Sequence, residues 1–584
     1  MCGIAGIFYR SGQTVDKGVL KKMTDIIHHR GPDGEGHWLN QKGNVGFGHR
    51  RLSIIDLSDN GKQPMHYLDG RYTITFNGEI YNYIEIKEQL LKQGYKFRSD
   101  SDTEVLLALY DWKKEKCLED LDGMFAFAIW DEVEQILFCA RDRFGEKPFH
   151  YFYDGTSFIF GSEIKQIWAY GIKREVEEKR AFSFINNGLL ENESDITDTY
   201  YKNIKRLDAA HYIVLNSNNK LVQTKYWAIN NSDVFKGTIE EAAEKFLELF
   251  KEAIRIRLRS DVPVGSSLSG GLDSSSIVML IDQLKGAEIN QNTFSARFKN
   301  FAKDEGKHIE EVVKACKNVQ VHYTWPDKDY FNTVLNDVIY HQDEPFGSAS
   351  IVAQYAVMQL AKEKNVTVLL DGQGADEQLA GYLPYYKVYL DQLYYNNRSL
   401  YNKEIEAYNK LHAGLFPYTP VSSNETLRMK LGWYKKRLLG QALPYSHDEL
   451  RRQLVADTTS NGLKQLLRYA DRNSMAHSRE VRLPFLSHKL CEFIFSLPNE
   501  YKINSGWTKY VLRKAMDKIL PHSICWRVDK IGYEPPQNEW LNSQNWNDEI
   551  EKASRHFDVK VVENPGDTYV KSQKWRLLMA YKYA

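Results

Sequence analysis

Cys2 directly follows Met1, and loss of that Met would leave a cysteine as the first residue of the chain. Such a residue is nucleophile and base together: the thiolate attacks, and the free α-amine, with a reference pKa of about 7.7–8.0, takes the proton. The other five cysteines (Cys117, Cys139, Cys316, Cys491, Cys525) show no C-x-x-C spacing, so neither a disulfide framework nor a structural zinc site is expected. A second chemical candidate lies near mid-chain. Val262-Pro263-Val264-Gly265-Ser266-Ser267-Leu268 runs into Ser269-Gly270-Gly271-Leu272-Asp273-Ser274-Ser275-Ser276, then Ile277, Val278 and Leu280. That order reads as strand, tight loop and helix. The glycines let backbone approach a phosphate closely, the hydroxyls add donors, and the helix N-terminus supplies oriented N–H groups. The loop lacks the lysine of a Walker A sequence. Ser and Asp are also good N-caps, so a plain capped turn is the bland alternative.

Around Cys2 stand Arg30-Gly31-Pro32-Asp33-Gly34, His49-Arg50-Arg51-Leu52-Ser53-Ile54, Phe76-Asn77-Gly78-Glu79-Ile80-Tyr81-Asn82, Ser101-Asp102-Thr103-Glu104 and Asp122-Gly123-Met124-Phe125-Ala126. Together these blocks resemble the class II glutamine amidotransferases, whose N-terminal cysteine hydrolyses the side-chain amide of glutamine and releases ammonia. The resemblance implies that Arg51 pairs with the α-carboxylate of glutamine and that Glu79 and Asp102 hold its α-ammonium. It also implies an oxyanion hole from the Asn77 side chain and the Gly78 N–H. A zwitterionic substrate needs a bidentate cation and a carboxylate, and a tetrahedral step needs aimed donors. Singly, Arg51 or Glu79 reads as a surface or structural charge, and Asn-Gly as a hairpin turn.

Ser269 to Ser274 resembles the pyrophosphate loop of the N-type ATP pyrophosphatases, which transfer AMP to a substrate oxygen. Further blocks follow: Asp343-Glu344-Pro345, Asp371-Gly372-Gln373-Gly374-Ala375-Asp376-Glu377, Gly381-Tyr382, Arg468 to Arg472, Arg482-Leu483-Pro484-Phe485-Leu486, Lys509 to Arg513, Arg527 and Lys530-Ile531-Gly532-Tyr533. Over nearly the whole chain the pattern is similar to that of the glutamine-hydrolysing asparagine synthetases. It implies that Leu268 and Ala296 border the adenosine of ATP, that Asp371 and Gly372 lie against the nucleotide, and that Ser269, Gly270, Gly271, Asp273 and Ser274 belong to the loop holding the pyrophosphate. Gln373, Arg527 and Lys530 would surround the acyl-adenylate, with Lys530 stabilising charge during adenylation. Asp273 and Asp376 are hard carboxylates suited to Mg²⁺. Two positions depart from the pattern: many members carry Glu at the place of Gln373 and Asp at the place of Ser487. Gln orients a substrate but cannot be a general base. The expected reaction is AMP- and pyrophosphate-forming amidation of a carboxylate, led by L-aspartate to L-asparagine through β-aspartyl-AMP. A cell-envelope, sugar-acid or secondary-metabolite carboxylate is the alternative acceptor, and a non-catalytic regulatory homologue is a third reading. An enclosed, apolar or uncharged ammonia passage between the centres is expected, because bulk water would convert ammonia to ammonium.

At 584 residues the chain exceeds one hydrophobic core, so several domains must position these groups. From Cys2 to about Trp227 short apolar runs (Ile4–Tyr9, Val45–Ile55, Tyr72–Phe76, Phe125–Trp130, Ile136–Ala140, Phe149–Tyr153, His211–Leu215) predict stacked sheets, with one helix over Asp102–Lys114. From Ile239 the apolar residues Ala243, Phe246, Leu247, Phe250 and Ile254 take helical spacing. Strands at Val262–Leu268, Thr293–Phe298 and Val366–Leu370, separated by helix-length segments, predict a parallel sheet. Asn230 to Asp233 is the linker candidate, and Tyr382, Tyr385, Tyr386 and Tyr389 read as aromatic helix packing. The expected domains are residues 2–228, a glutaminase, and 235–584, the ATP-dependent synthetase. The resemblance implies an α/β multidomain chain: a four-layer αββα Ntn-hydrolase-like fold, then a doubly wound parallel α/β fold of the adenine nucleotide alpha hydrolase type with helical additions. Lys+Arg and Asp+Glu balance at 77 each, so no electrostatic case for nucleic acid or anionic lipid arises. Apolar runs are too short to span a bilayer, and the N-terminus lacks a signal-like basic and apolar region. A cytoplasmic enzyme acting on glutamine, ATP and a carboxylate is expected, and a homodimer is compatible with it.

Overall fold

The structure, a computed structural model, describes all residues except 191–194, 230–233, 286–289, 413–417, 419–448, 530–533, 543 and 562–571. The linker candidate at 230–233 and Lys530 lie outside the described residues. The first 225 residues form twelve strands: β1 (Gly3–Tyr9), β2 (Gly34–Leu39), β3 (Val45–Arg51), β4 (Met65–Tyr67), β5 (Tyr72–Ile80), β6 (Gly123–Asp131), β7 (Ile136–Arg141), β8 (His150–Tyr153), β9 (Ser157–Gly161), β10 (Lys205–Arg206), β11 (His211–Leu215) and β12 (Gln223–Lys225). They make two antiparallel six-stranded sheets, ordered β10-β8-β9-β1-β3-β2 and β12-β11-β7-β6-β5-β4.

Alternation explains the layering. In β1, Ile4 and Phe8 pack with Ala126, Ala128 and Trp130 of β6 between the sheets. The intervening Ala5, Ile7 and Tyr9 face outward onto Leu20 and Met23 of helix α1 (Lys17–Asp25). In β6, the intervening Phe125, Phe127 and Ile129 meet Val105, Leu106 and Leu109 of helix α2 (Asp102–Lys113). Helix, sheet, sheet and helix therefore stack as four layers. Because both faces of these strands are covered, they read as continuous apolar runs, and β2 and β4, which are more polar or shorter, escape a reading by pattern. Strand β5 runs on through Asn77 and Gly78, so this Asn-Gly pair is mid-strand, not a hairpin turn. A Cβ on Gly78 would collide with the Met124 carbonyl of β6.

The second sheet system is parallel throughout, in the order β15-β14-β13-β16-β17. Its strands are β13 (Val264–Ser267), β14 (Gln291–Ala296), β15 (Val319–Thr324), β16 (Val368–Leu370) and β17 (Glu480–Arg482). On one face Leu268 and Leu370 pack with Ile277 and Ile281 of helix α4 (Leu272–Lys285) and with Phe246 and Phe250 of helix α3 (Ile239–Arg257). On the other, Phe294, Leu369 and Val481 meet Val357 and Met358 of helix α5 (Ser350–Glu363). Helix α3 starts at Thr238, whose side chain and that of Glu241 form a reciprocal capping box. Helix α6 (Leu383–Asn396) buries Tyr385, Tyr386 and Tyr389, the expected aromatic packing. From β13 the chain moves outward through β14 and β15, then returns to place β16 on the other side. That reversal opens a crevice at the strand C-termini, the usual ligand position of such sheets. No helix among the described residues is long and apolar enough to cross a membrane.

Candidate active sites at the domain junction

Strand β1 delivers Cys2 to the junction, where its backbone N–H donates to Asn77 Oδ1 at 2.9 Å and its Sγ lies 3.8 Å from the Leu52 carbonyl. Burial pushes the thiol up from its ordinary value, opposed in part by the N-terminal ammonium. The amine of Cys2 is here a peptide nitrogen, and the chain's ammonium belongs to Met1, 3.1 Å from Glu480 Oε2. The Met1 side chain packs with Tyr81 and Met124 of the first domain and Ile256 and Met475 of the second. The other amide atom of Asn77, Nδ2, is buried and has no hydrogen-bond partner. An unpaired buried donor beside a thiol is costly unless a ligand meets it.

Glu79 and Asp102 come to the same place from the end of β5 and the first turn of α2. Asp102 Oδ2 accepts from Ile80 N at 2.8 Å, and burial pushes its carboxyl up to about 6. Burial, with Glu480 and Asp102 adding repulsion, holds Glu79 well above the usual carboxylate range, and Arg482 opposes this. Arg51, at the end of β3, is held by the carbonyls of Ser58 (2.9 Å) and Asp56. His49 is buried, donates through Nε2 to the Phe76 carbonyl (3.1 Å), and is pushed down to about 3 by burial, so it is neutral. Thus Cys2, Arg51, Asn77, Gly78, Glu79 and Asp102 all lie on β1, β3, β5 and α2 around one point of the junction.

The second centre occupies the crevice. At the end of β13 the loop folds on itself, Ser269 N donating to Ser274 Oγ at 3.2 Å and the two hydroxyls lying 3.0 Å apart. Gly270 adopts φ +74°, and Gly372, at the end of β16, packs so closely that a Cβ would stand 3.0 Å from Asp273 Cβ and 3.1 Å from Ser274 N. Glycine there lets the Asp371–Gln373 segment close onto the serine loop. Asp371 is pushed up by burial, its Oδ1 accepting from Gly372 N at 2.7 Å. Leu268 is fully buried at the end of β13, and Ala296 ends β14. Gln373 Oε1 is buried without a hydrogen-bond partner.

Asp273 and Asp376 converge on one group, the Lys509 ammonium, at 2.6 Å from Asp273 Oδ1 and 2.8 Å from Asp376 Oδ1. Burial opposes the charge on Lys509, but the two carboxylates outweigh it and raise its pKa. The donor set suits a hard cation, and Lys509 holds a cation's place in it. Among the described residues no group of three or more His, Cys, Asp or Glu could hold a metal ion, so phosphate oxygens would have to complete such a site. Arg527 pairs with Glu305 (2.6 Å from Nη2 to Oε1) and Asp529 (3.0 Å), with Nη1 3.5 Å from the Gly270 carbonyl. Sequence reasoning named the blocks containing Lys509, Asp471 and Arg482 but assigned these residues no role; Glu305 and Glu480 lie outside the blocks it named.

Ion pairs fix the two centres to each other. Arg30 donates through Nε to the Cys2 carbonyl (3.0 Å) and through a bidentate fork to Asp471 (2.9 and 3.0 Å) of helix Gly462–Ala476 (α7). Ser478 Oγ donates to the His29 carbonyl at 2.7 Å, and Leu52 and Ile54 pack on Val368 of β16.

Residues 1–227 match the family model of the glutamine amidotransferase domain, and residues 245–579 that of asparagine synthase. The chain is 32% identical over 575 residues to asparagine synthetase [glutamine-hydrolyzing] 1 of Bacillus subtilis (strain 168), covering 93% of this chain and 88% of the relative. Asparagine synthetase [glutamine-hydrolyzing] 3 of the same organism is 32% identical over 582 residues, covering 93% and 90%. A protein named amidase chry2, from Gibberella zeae, is 28% identical over 614 residues, covering 92% and 90%.

Proposed function

The chain belongs to the family of glutamine-hydrolysing asparagine synthetases, and on that premise we propose that it transfers ammonia from glutamine to an AMP-activated carboxylate, with L-aspartate as the acceptor. The observation that carries this reading is the presence, in one chain and across one ion-paired junction, of the Cys2–Asn77 pair and the serine loop closed against Asp371–Gln373.

With Met1 removed, Cys2 would attack the amide carbon of glutamine, its α-amine taking the thiol proton and returning it to the leaving ammonia. Asn77 Nδ2 and the Gly78 N–H would meet the tetrahedral oxygen. Arg51 would take the α-carboxylate, and Glu79 and Asp102 the α-ammonium. Water then releases glutamate from the thioester.

At the second centre the acceptor carboxylate would attack the α-phosphorus of ATP, forming acyl-AMP and releasing pyrophosphate into the Ser269–Ser274 loop. Leu268 and Ala296 would border the adenosine, with Asp371 and Gly372 against the nucleotide and Arg527 and Lys530 facing the polyphosphate. A carboxylate oxygen is a poor leaving group; as part of AMP it departs when ammonia attacks, leaving an amide and one proton. Asp273 and Asp376 would hold Mg²⁺ together with phosphate oxygens, and the ion would neutralise polyphosphate charge. Ammonia must arrive unprotonated, so an enclosed passage is part of the proposal. Removal of Met1 would open a space beside Cys2 walled by Tyr81, Met124, Ile256 and Met475, apolar but for the phenol.

Gln373 favours a second reading, the same chemistry on a different carboxylate, because an amide cannot serve as the base that an acid would supply at this position. A relative named amidase is consistent with an altered acceptor. A screen of carboxylates by pyrophosphate release, with glutamine and ATP present, tests both. Aspartate-dependent release with AMP and asparagine formed is the expected result; release with another acid alone would establish the second reading, and ADP formation would contradict both.

A further inference from the structure

Arg482 of β17 touches both centres. Its fully buried guanidinium bonds Glu480 Oε1 through Nε at 2.6 Å, and Nη1 donates to the carbonyls of Arg257 (2.7 Å) and Arg259 (2.6 Å) at the end of α3. The remaining nitrogen, Nη2, has no hydrogen-bond partner and stands across the domain junction, 3.7 Å from Glu79 Oε1. On the same residue the backbone carbonyl accepts from Asp371 N at 3.0 Å, in line with the β16–β17 register of Leu370 opposite Arg482. One residue of the synthetase sheet therefore reaches Glu79 with its side chain and the Asp371 segment with its backbone.

Glu79 needs that cation. It is 5% exposed, Oε2 lacks a hydrogen-bond partner, and the carboxylates of Glu480 and Asp102 and the thiol of Cys2 share its surroundings, with Tyr83 also in electrostatic reach. A neutral carboxyl could not pair with an α-ammonium. Two cations act in the other direction, Arg482 and the N-terminal ammonium. The second is lost as a charge when the α-amine, moved to Cys2, serves as a neutral base. Arg482 alone then stays fixed and charged at every working pH.

We propose that Arg482 is a positioning residue for glutamine: reaching across from the synthetase sheet, it maintains the charge and aim of Glu79, so that the second domain completes the glutamine site. This rests on Glu79 holding the α-ammonium, as proposed above. Lysine could replace the charge but not the fork that holds Glu480, two carbonyls and Glu79 together.

The test uses the full-length enzyme with Arg482→Met, Arg482→Lys and Glu79→Gln, alone and combined. Arg482→Met is expected to raise KM for glutamine at least tenfold with kcat within about threefold, to shift the acid limb of kcat/KM to higher pH, and to leave ammonia-driven pyrophosphate release within twofold of wild type. Arg482→Lys should restore part of the KM and return the acid limb towards wild type. Adding Arg482→Met to Glu79→Gln should raise KM no further, the signature of action through Glu79. Unchanged KM and acid limb in Arg482→Met would overturn the assignment. So would equal loss of glutamine- and ammonia-driven synthesis in both Arg482 variants, the mark of a merely structural role. A wild-type enzyme that hydrolyses no glutamine would instead defeat the functional reading on which this one stands.

Discussion

The two centres solve the problem of holding charge in different ways. Around Cys2 three buried polar atoms, Asn77 Nδ2, Glu79 Oε2 and His49 Nδ1, have no hydrogen-bond partner. In the crevice the charged groups are paired with each other, Lys509 with Asp273 and Asp376, and Arg527 with Glu305 and Asp529. The first arrangement is preorganised, its groups already desolvated and waiting for a substrate of fixed shape. The second must exchange partners when a nucleotide arrives, so its charges are kept satisfied until then. A small zwitterion entering a strand-built pocket favours the first design, and a polyanion bound by loops favours the second.

If the contrast holds, substitutions at the preorganised centre remove rate, and substitutions at the paired centre trade stability against ligand. The largest effect is expected from Cys2→Ala, which should lower glutamine-driven turnover by at least about 10³-fold and spare synthesis from added ammonia. Equal loss from both nitrogen sources, measured by product formation, would break the assignment. Asn77→Ala should lower glutaminase kcat by about 10²–10³, as the proposed oxyanion role of its unmet donor requires; a change in KM alone would remove it from the oxyanion hole. In a pH series, glutaminase kcat/KM should fall as pH drops through about 6, up to tenfold per unit, as follows from the proposed role of Asp102, whose carboxyl burial pushes up to about 6, in holding the α-ammonium. Ammonia-driven synthesis should lack this inflection. The smallest effect sharpens the other side: Lys509→Met removes the ammonium between two converging carboxylates and should destabilise the enzyme by roughly 1–3 kcal/mol. Mg²⁺ should then raise the variant's Tm more than the wild type's; an equal response would count against Asp273 and Asp376 as metal ligands.

Much of the fold was legible from pattern. The helices starting at Asp102 and Ile239 begin where they were expected, and strands β1, β6, β7 and β11 match their apolar runs within a few residues. Strand β17 was not legible, since Glu480-Val481-Arg482 has one apolar residue of three and owes its conformation to β16 beside it. Strand β15, on the sheet edge beside β14, carries an alternating Val-Gln-Val-His-Tyr-Thr pattern, which a reading by continuous apolar runs passes over. Taken singly, Asn77-Gly78 reads as a turn because dipeptide propensity is local, whereas the β5–β6 ladder that overrides it is not.

Residue order alone determined which chemical groups this chain carries: a penultimate cysteine, an Arg, Asn-Gly-Glu and Asp set, and a serine–glycine loop without a Walker lysine. These are properties of type and spacing within a few residues, and sequence records them directly. Tertiary structure alone decided the partners: Arg30 with Asp471, Lys509 between Asp273 and Asp376, Arg482 reaching Glu79. Those pairs lie more than a hundred residues apart along the chain, where neither periodicity nor propensity carries information. They form because burying each charge is tolerable only beside its counter-charge, and the strand order brings the two together.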